Sequence, residues 1–303
     1  MVRVTIRTAG PEERENLLQI LLDSFGHFHS SEDARRELFS GSFNPQGCFF
    51  AEENASAVGC VAVTNLPHEG WYVIRYLAVK NAISRSDVAK TLVRQAIQYA
   101  KSRKASFLRA TTPAVQPYVD IYKALGFEPV RRDFRIIWDL ETNTKSLDDS
   151  VELKDVTKDT LEKAADIFIE SITPYWNWRT EKQGGRAAVR ESFLKSFMKH
   201  ERWKIALRDS NPVGLAGQIP DYYKLGKARF RGAYVLPEHR GKGVGSAVMQ
   251  QALNWARDLG QKKMVIYTFS YLDSLAPGAV LYLKSGGMID SEYIQLQKTD
   301  RLT

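Results

Sequence analysis

Cysteine is scarce in this 303-residue chain, which has only Cys48 and Cys60. With no second pair beside them, a cysteine-based metal site is excluded, and no metal is expected. Both stand in strand-like stretches, Gly47-Cys48-Phe49-Phe50-Ala51 and Val58-Gly59-Cys60-Val61-Ala62-Val63, and read as buried small apolar residues. Long apolar runs are missing as well: nothing approaches the roughly 18 residues of a membrane span. The opening Met1-Val2-Arg3-Val4-Thr5-Ile6-Arg7 alternates like a strand and lacks the apolar core and cleavage site of a signal peptide. A cytoplasmic protein without a membrane partner is therefore expected. Dense basic runs interleaved with aromatics are also absent, which argues against a nucleic-acid surface. The net charge of +8 still points to anionic partners, among them the polyphosphate of a nucleotide cofactor.

What is present is an ordinary globular composition, 44% hydrophobic and 26% charged, and enough length for two domains that each bury a core. The chain is duplicated. Val4-Thr5-Ile6-Arg7 and the helical pattern of Leu17, Leu18, Ile20 and Leu21 match Val151-Glu152-Leu153-Lys154 and Ala164, Ala165, Ile167 and Phe168. Further on, Val58-Gly59 matches Val213-Gly214, and Gln95-Ala96-Ile97 with Tyr99-Ala100 matches Gln251-Ala252-Leu253 with Trp255-Ala256. The order is kept. A unit of about 150 residues is too long for a solenoid repeat and reads as two copies of one domain. The polar, aperiodic stretch from Glu141 to Ser150 serves as the linker, giving domains at 1–142 and 151–303 with a linker at 143–150.

In the second copy, strands are expected from the alternation of Trp203, Ile205 and Leu207, from Ala228 to Val235, and from Met264 to Phe269. Helical spacing runs over Ala164 to Ile172 and Ala187 to Met198, and again through Val244, Val248, Ala252, Trp255 and Leu259. Strands and helices alternate without a strict βαβ register. The fold class expected is α/β or α+β, a mixed sheet flanked by helices in each half.

The most informative segment is Tyr234-Val235-Leu236-Pro237-Glu238-His239-Arg240-Gly241-Lys242-Gly243-Val244-Gly245-Ser246, which leads from a strand into a helix. Three glycines remove side chains where backbone amides meet a ligand, and the helix start behind them offers unpaired donors and the positive dipole end to phosphate oxygens. Lys242 adds a charge. The spacing is neither the dinucleotide GxGxxG fingerprint nor a P-loop.

The segment resembles motif A of the GNAT acetyltransferase family, V-x-P followed by Arg/Gln-x-x-Gly-x-Gly/Ala, here Val235-x-Pro237 and Arg240-x-x-Gly243-x-Gly245. Downstream, Leu281-Tyr282-Leu283-Lys284-Ser285-Gly286-Gly287 resembles the family's Y-x-K-x-G-F helix. Gly287 replaces the usual Phe, with Met288 filling the gap, and Leu275 replaces the usual Asn. The first copy keeps the cleaner version, Ile121-Tyr122-Lys123-Ala124-Leu125-Gly126-Phe127. The resemblance spans nearly the whole chain and is that of a tandem GNAT protein, each half a largely antiparallel mixed sheet.

It implies that acetyl-CoA or another acyl-CoA is the donor substrate and an unidentified amine the acceptor. Backbone near Val235 and Leu236 would hold the pantetheine, and Arg240, Gly241, Lys242, Gly243, Val244, Gly245 and Ser246 the pyrophosphate. Tyr282 is the catalytic candidate. Its phenol would assist the departing thiolate, or it packs a helix on the sheet. The strand before the loop has no carboxylate to act as base, which leaves water, Asp221 or Asp273; Glu238 and His239 read as loop fillers. Tyr175, Trp176 and Trp178 are candidates for an acceptor wall or for an interface plug. Aligning the copies puts Ser84, Asp87 and Ala89 opposite Arg240, Gly243 and Gly245, so the first half is expected not to hold CoA in this way. A non-catalytic acyl-CoA-binding protein is the alternative.

Overall fold

The computed structural model describes residues 4–25, 44–66, 70–81, 85–142, 150–172, 184–197, 201–222 and 226–299. The duplicated sequence yields a duplicated element order. The first copy runs β1 (Val4–Thr8), α1 (Arg14–Phe25), β2 (Cys48–Glu53), β3 (Ser56–Asn65), β4 (Trp71–Val79), α2 (Ser86–Ser102), β5 (Phe107–Pro113), α3 (Gln116–Lys123) and β6 (Phe127–Asp139). The second runs β7 (Glu152–Asp155), α4 (Leu161–Ile172), α5 (Gly185–Phe197), β8 (Arg202–Arg208), β9 (Asn211–Ile219), β10 (Lys227–Val235), α6 (Val244–Asp258), β11 (Lys263–Ser270), α7 (Pro277–Lys284) and β12 (Met288–Lys298). Each stretch read as a strand or helix in the second copy falls within the corresponding element, apart from Leu259, which caps α6 one residue past its end, and Met198, which lies outside the described residues.

The chain forms two compact units. The first runs to Phe134 and takes in Phe269–Ser274 and the chain from Ser291 onward; the second holds Arg135–Thr268 and Leu275–Asp290. This division is not the linear one expected between 142 and 151. Its cause is strand pairing. In the first unit the order is β1-β2-β3-β4-β5-β12, with Tyr293–Gln297 of β12 antiparallel to Arg109–Pro113 of β5. In the second it is β6-β11-β10-β9-β8-β7. The strand that satisfies the backbone of β5 thus comes from the end of the sequence, and the neighbour of β11 from the middle. An edge of unpaired N–H and C=O groups is thereby covered in each unit.

Pairing is antiparallel within β1-β2-β3-β4 and within β10-β9-β8-β7, whereas β4 with β5 and β10 with β11 are parallel. The sheets are mixed and largely antiparallel, as the fold class expected. Helices cover them because their apolar residues fall on one stripe. In α2, Ala89, Leu92, Val93, Ala96 and Ala100 are buried at i, i+3, i+4, i+7 and i+11. They join Leu17, Leu18 and Leu21 of α1, Phe50 of β2 and Leu296 of β12 in the first unit's core. In the second unit, Ala164, Ala165 and Ile167 of α4 and Phe193 of α5 pack on Trp203, Ile205 and Leu215. A fully buried Leu or Ile stabilises by about 1.5–3 kcal/mol. Cys48 and Cys60 are buried and unbridged, as expected, and burial pushes the Cys48 thiol up to about 12. No helix among the described residues is long and apolar enough to cross a membrane.

Candidate functional site

The site begins where two parallel strands part. β10 and β11 pair only through Lys227–Arg229 with Lys263–Val265, although they continue to Val235 and Ser270. A bulge between Phe230 and Gly232 turns β10, and Gly232 there has φ of +135°. Any side chain at Gly232 is refused twice, by this φ and by the Tyr234 ring, which a Cβ would meet at 2.9 Å. Tyr234 itself is fixed by its hydroxyl, which donates to the Arg231 carbonyl (2.7 Å), and by an edge contact with Phe168 (4.9 Å). The result is a fork with the backbone of Ala233 and Val235 along one arm.

Tyr282 closes the inner end of that fork from α7. It is 6% exposed and sits edge-on to Trp138 (5.8 Å) and Phe230 (6.0 Å). The Ala233 amide donates to its hydroxyl, and burial, the larger effect, pushes the phenol well above the ordinary tyrosine range. It therefore stays a neutral O–H. Gly287, standing where the family prefers Phe, has no room for a side chain: a Cβ would lie 2.6 Å from Ile136 and 2.8 Å from Trp138. The expected filler, Met288, is 62% exposed and does not fill the gap. Trp138 fills it, with its indole N–H donating to Ser285 (3.2 Å).

Beyond Val235 the chain makes a short 3-10 turn, Pro237–His239, then the glycine loop and α6. Gly241 and Gly243 have φ of +72° and +79°, and a Cβ at either would meet nothing within 4 Å. Backbone conformation demands glycine at these two positions, and the space in front of them is open. Gly245 is different: its Cβ would make ordinary contacts with Leu281 (3.5 Å) and Val235 (3.7 Å). Gly243 caps α6 without a side-chain hydrogen bond, and its carbonyl takes the amides of Ser246 (3.0 Å) and Ala247 (3.2 Å). The donors left to face a ligand are those just before, at Val244 and Gly245. Lys242 and Ser246 are exposed beside them.

Arg240 is drawn inward. It donates through Nε to the Val235 carbonyl (3.1 Å) and through a terminal nitrogen to the Ser171 carbonyl at the end of α4 (2.7 Å). The Leu236 amide is likewise spent, on Val213 of β9 (3.0 Å). Of the two backbone positions named from sequence, Val235 is the one whose amide is not given to β9, while its carbonyl already accepts from Arg240.

The candidate bases fare unevenly. Asp221 accepts the Gly226 amide (3.1 Å) and closes its own turn; Asp273 is exposed and belongs to the first unit. Sequence reasoning passed over Glu201. Its side chain is 10% exposed and bound to Arg231 (2.8 Å), Ser196 (3.0 Å) and the Trp203 indole (3.1 Å), which commits both oxygens. Its position just before a strand gave no signal. Tyr175, Trp176, Trp178 and Ser84 lie outside the described residues.

The first unit repeats the fork, and among its described residues no glycine stands at the counterparts of Gly241, Gly243 and Gly245. β4 and β5 pair through Trp71–Ile74 with Phe107–Ala110 and then part, with Tyr76 at φ of +56° near the bulge. Helix α2, however, begins at Ser86, so Asp87, the counterpart of Gly243, lies in its first turn. The Asp87 side chain is 97% exposed, 3.8 Å from Lys90.

The acetyltransferase (GNAT) family model matches residues 14–127 and 165–275. Among solved structures, a GCN5-related N-acetyltransferase from Sphaerobacter thermophilus is similar at a TM-score of 0.73 and 14% identity, covering 99% of this chain and 96% of that one. A tandem GNAT protein from the clavulanic acid biosynthesis pathway has a TM-score of 0.64 at 14% identity, covering 100% and 99%. A putative acetyltransferase from Pyrococcus horikoshii has a TM-score of 0.53 at 17% identity, covering 99% and 90%. No curated protein sequence matches the chain.

Proposed function

Because this chain belongs to the GNAT acetyltransferase family, we propose that its second unit binds acetyl-CoA or a related acyl-CoA and transfers the acyl group to an amine. The observation that carries this reading is the continuity of fork and loop. The arm at Ala233 and Val235, parted from β11, leads through one short turn into positive-φ glycines at the start of a helix, with a buried neutral tyrosine at the inner end. A pantetheine amide can pair with the arm as an added strand would, while the diphosphate meets the Val244 and Gly245 amides and Lys242.

Each residue then has a distinct task. Arg240 holds the loop against α4 and β10. Gly241 and Gly243 supply the turn. The acceptor nitrogen, arriving uncharged, attacks the thioester carbonyl: the C–N bond forms, the C–S bond breaks, and the proton lost by the amine ends on the thiolate of CoA. Tyr282 donates a hydrogen bond to that sulfur or protonates it, a role suited to a phenol kept neutral by burial. With Asp221 and Glu201 engaged elsewhere, water takes the amine proton. We assign Tyr175, Trp176 and Trp178 to the acceptor wall, and the first unit to a role without acyl-CoA.

Thiol release from acetyl-CoA, screened over amines, amino acids, polyamines and peptides, tests the reading. Turnover with at least one amine, lost in Gly243→Asp, is expected. Tight acetyl-CoA binding with no thiol release from any amine would favour a binding module instead.

A further inference from the structure

We propose that Tyr118 fills, in the first unit, the place a pantetheine would take, and that Gly278 is the residue that keeps the equivalent place in the second unit open. The inference rests on the acyl-CoA reading above for the identity of the missing ligand.

Three observations carry it. First, Val79 and Val235 are the same position of the repeated fork: Val79 pairs with Gly59 of β3, and Val235 with Gly214 of β9, the two glycines being partners in the repeat. In the first unit the Tyr118 hydroxyl accepts the Val79 amide (3.1 Å) and donates to the Val79 carbonyl (3.3 Å). A secondary amide of pantetheine has one acceptor and one donor and would use the same two groups at Val235, where the carbonyl accepts one bond from Arg240 and keeps a second lone pair. Tyr118 is 4% exposed, and both backbone groups of Val79 are satisfied by it.

Second, helices α3 and α7 align through Pro117 with Pro277 and Tyr122 with Tyr282, which sets Tyr118 opposite Gly278. A Cβ at Gly278 would point at the Tyr282 ring edge and hydroxyl, 3.7 to 3.9 Å away, and Tyr282 is the residue bound to Ala233 in the fork. By the alignment, a tyrosine there would stand to Val235 as Tyr118 stands to Val79.

Third, nothing in the fold asks for glycine at 278. Its Cβ contacts would be ordinary, and its φ is not positive, so neither packing nor backbone conformation requires it. The vacancy is explained by a ligand, and the same helix in the other copy shows what fills the space when no ligand does. The unsatisfied hydroxyl of Tyr122 fits this account. With Tyr118 seated on the arm, Tyr122 is fully buried without the backbone partner that Tyr282 has.

The experiment has two arms. Calorimetry with acetyl-CoA compares wild type, Gly278→Tyr and Tyr118→Phe. Gly278→Tyr should bind at least 100-fold more weakly with an unchanged circular-dichroism spectrum, and Tyr118→Phe should bind like wild type. Backbone amide NMR then follows Val79. Exchange at that amide should be about tenfold faster in Tyr118→Phe, and millimolar pantetheine should shift it in Tyr118→Gly but not in wild type. Wild-type affinity in Gly278→Tyr, a Val79 response in wild type, or none in Tyr118→Gly overturns the inference. If wild type binds no acetyl-CoA, the proposed function fails separately, and the pantetheine arm still decides whether Tyr118 closes the fork.

Discussion

The Arg240 guanidinium donates to the Ser171 carbonyl 2.7 Å away, which ties the glycine loop to the last turn of α4. A residue that the motif resemblance sets beside the pyrophosphate is also held by two backbone carbonyls. Arg240→Ala should weaken acetyl-CoA binding about tenfold, or 1.4 kcal/mol, by loosening the loop. Arg240→Lys should not restore it, because an ammonium cannot reach Val235 and Ser171 together. Equilibrium binding on both variants checks this, and rescue by lysine would mean that charge alone matters.

Tyr282→Phe isolates the buried hydroxyl. The ring packing on Trp138 and Phe230 survives, so the KM for acetyl-CoA should hold while kcat falls about 10- to 100-fold. Burial keeps the wild-type phenol protonated past its ordinary range. The alkaline side of the rate profile up to pH 10 should therefore be the same in both proteins, and a wild-type limb that vanishes in Tyr282→Phe would contradict the assignment.

In the first unit, Arg7 donates to both oxygens of Glu13 at 2.6 Å, and the Gly10 amide adds a third bond to that carboxylate (2.6 Å). Arg7, chiefly through its hydrogen bonds, lowers the Glu13 pKa from 4.5 to about 2. A lowered carboxylate stabilises the fold above its unfolded pKa, and that stability is lost as pH falls from 4.5 toward 2. Arg7 is 39% exposed, so solvent screening limits the contribution to about 1 kcal/mol. Glu13→Gln should lower the melting temperature at pH 7, and the gap to wild type should close by pH 2. A constant gap would assign the loss to packing.

Removal of residues 291–303 takes β12 from β5 and Leu296 from the first unit's core. The truncated chain should lose cooperative unfolding of that unit and associate through the bared β5 edge. Calorimetric scanning with sedimentation reads both effects. Unchanged unfolding would mean that a linear division of the chain is the physical one after all.

Much of this was legible in the residues. Patterns of period 2 and 3.6 placed β8, β10, β11 and α6, and the duplicated order followed from matched segments such as Val58-Gly59 and Val213-Gly214. Strand exchange was not legible, because nothing in the alternation of β6 or β12 names the neighbour each strand will pair with. Arg240 and Gly278 escaped for related reasons. A guanidinium bound to carbonyls looks the same in sequence as one bound to phosphate, and a glycine kept for empty space looks like one kept for a turn. Gly287 was a departure in motif terms, and only the packing of Ile136 and Trp138 shows why phenylalanine has no room there.

The central claim is that a chain built from two copies carries one acyl-CoA site, in the second. Calorimetric titration of the intact chain with acetyl-CoA tests it most directly. One site per chain is predicted, falling to none in Gly243→Asp, where the carboxylate reproduces what Asp87 supplies in the first copy and the positive φ of this position adds strain of its own. Two equal sites, or a full site remaining in Gly243→Asp, would contradict it.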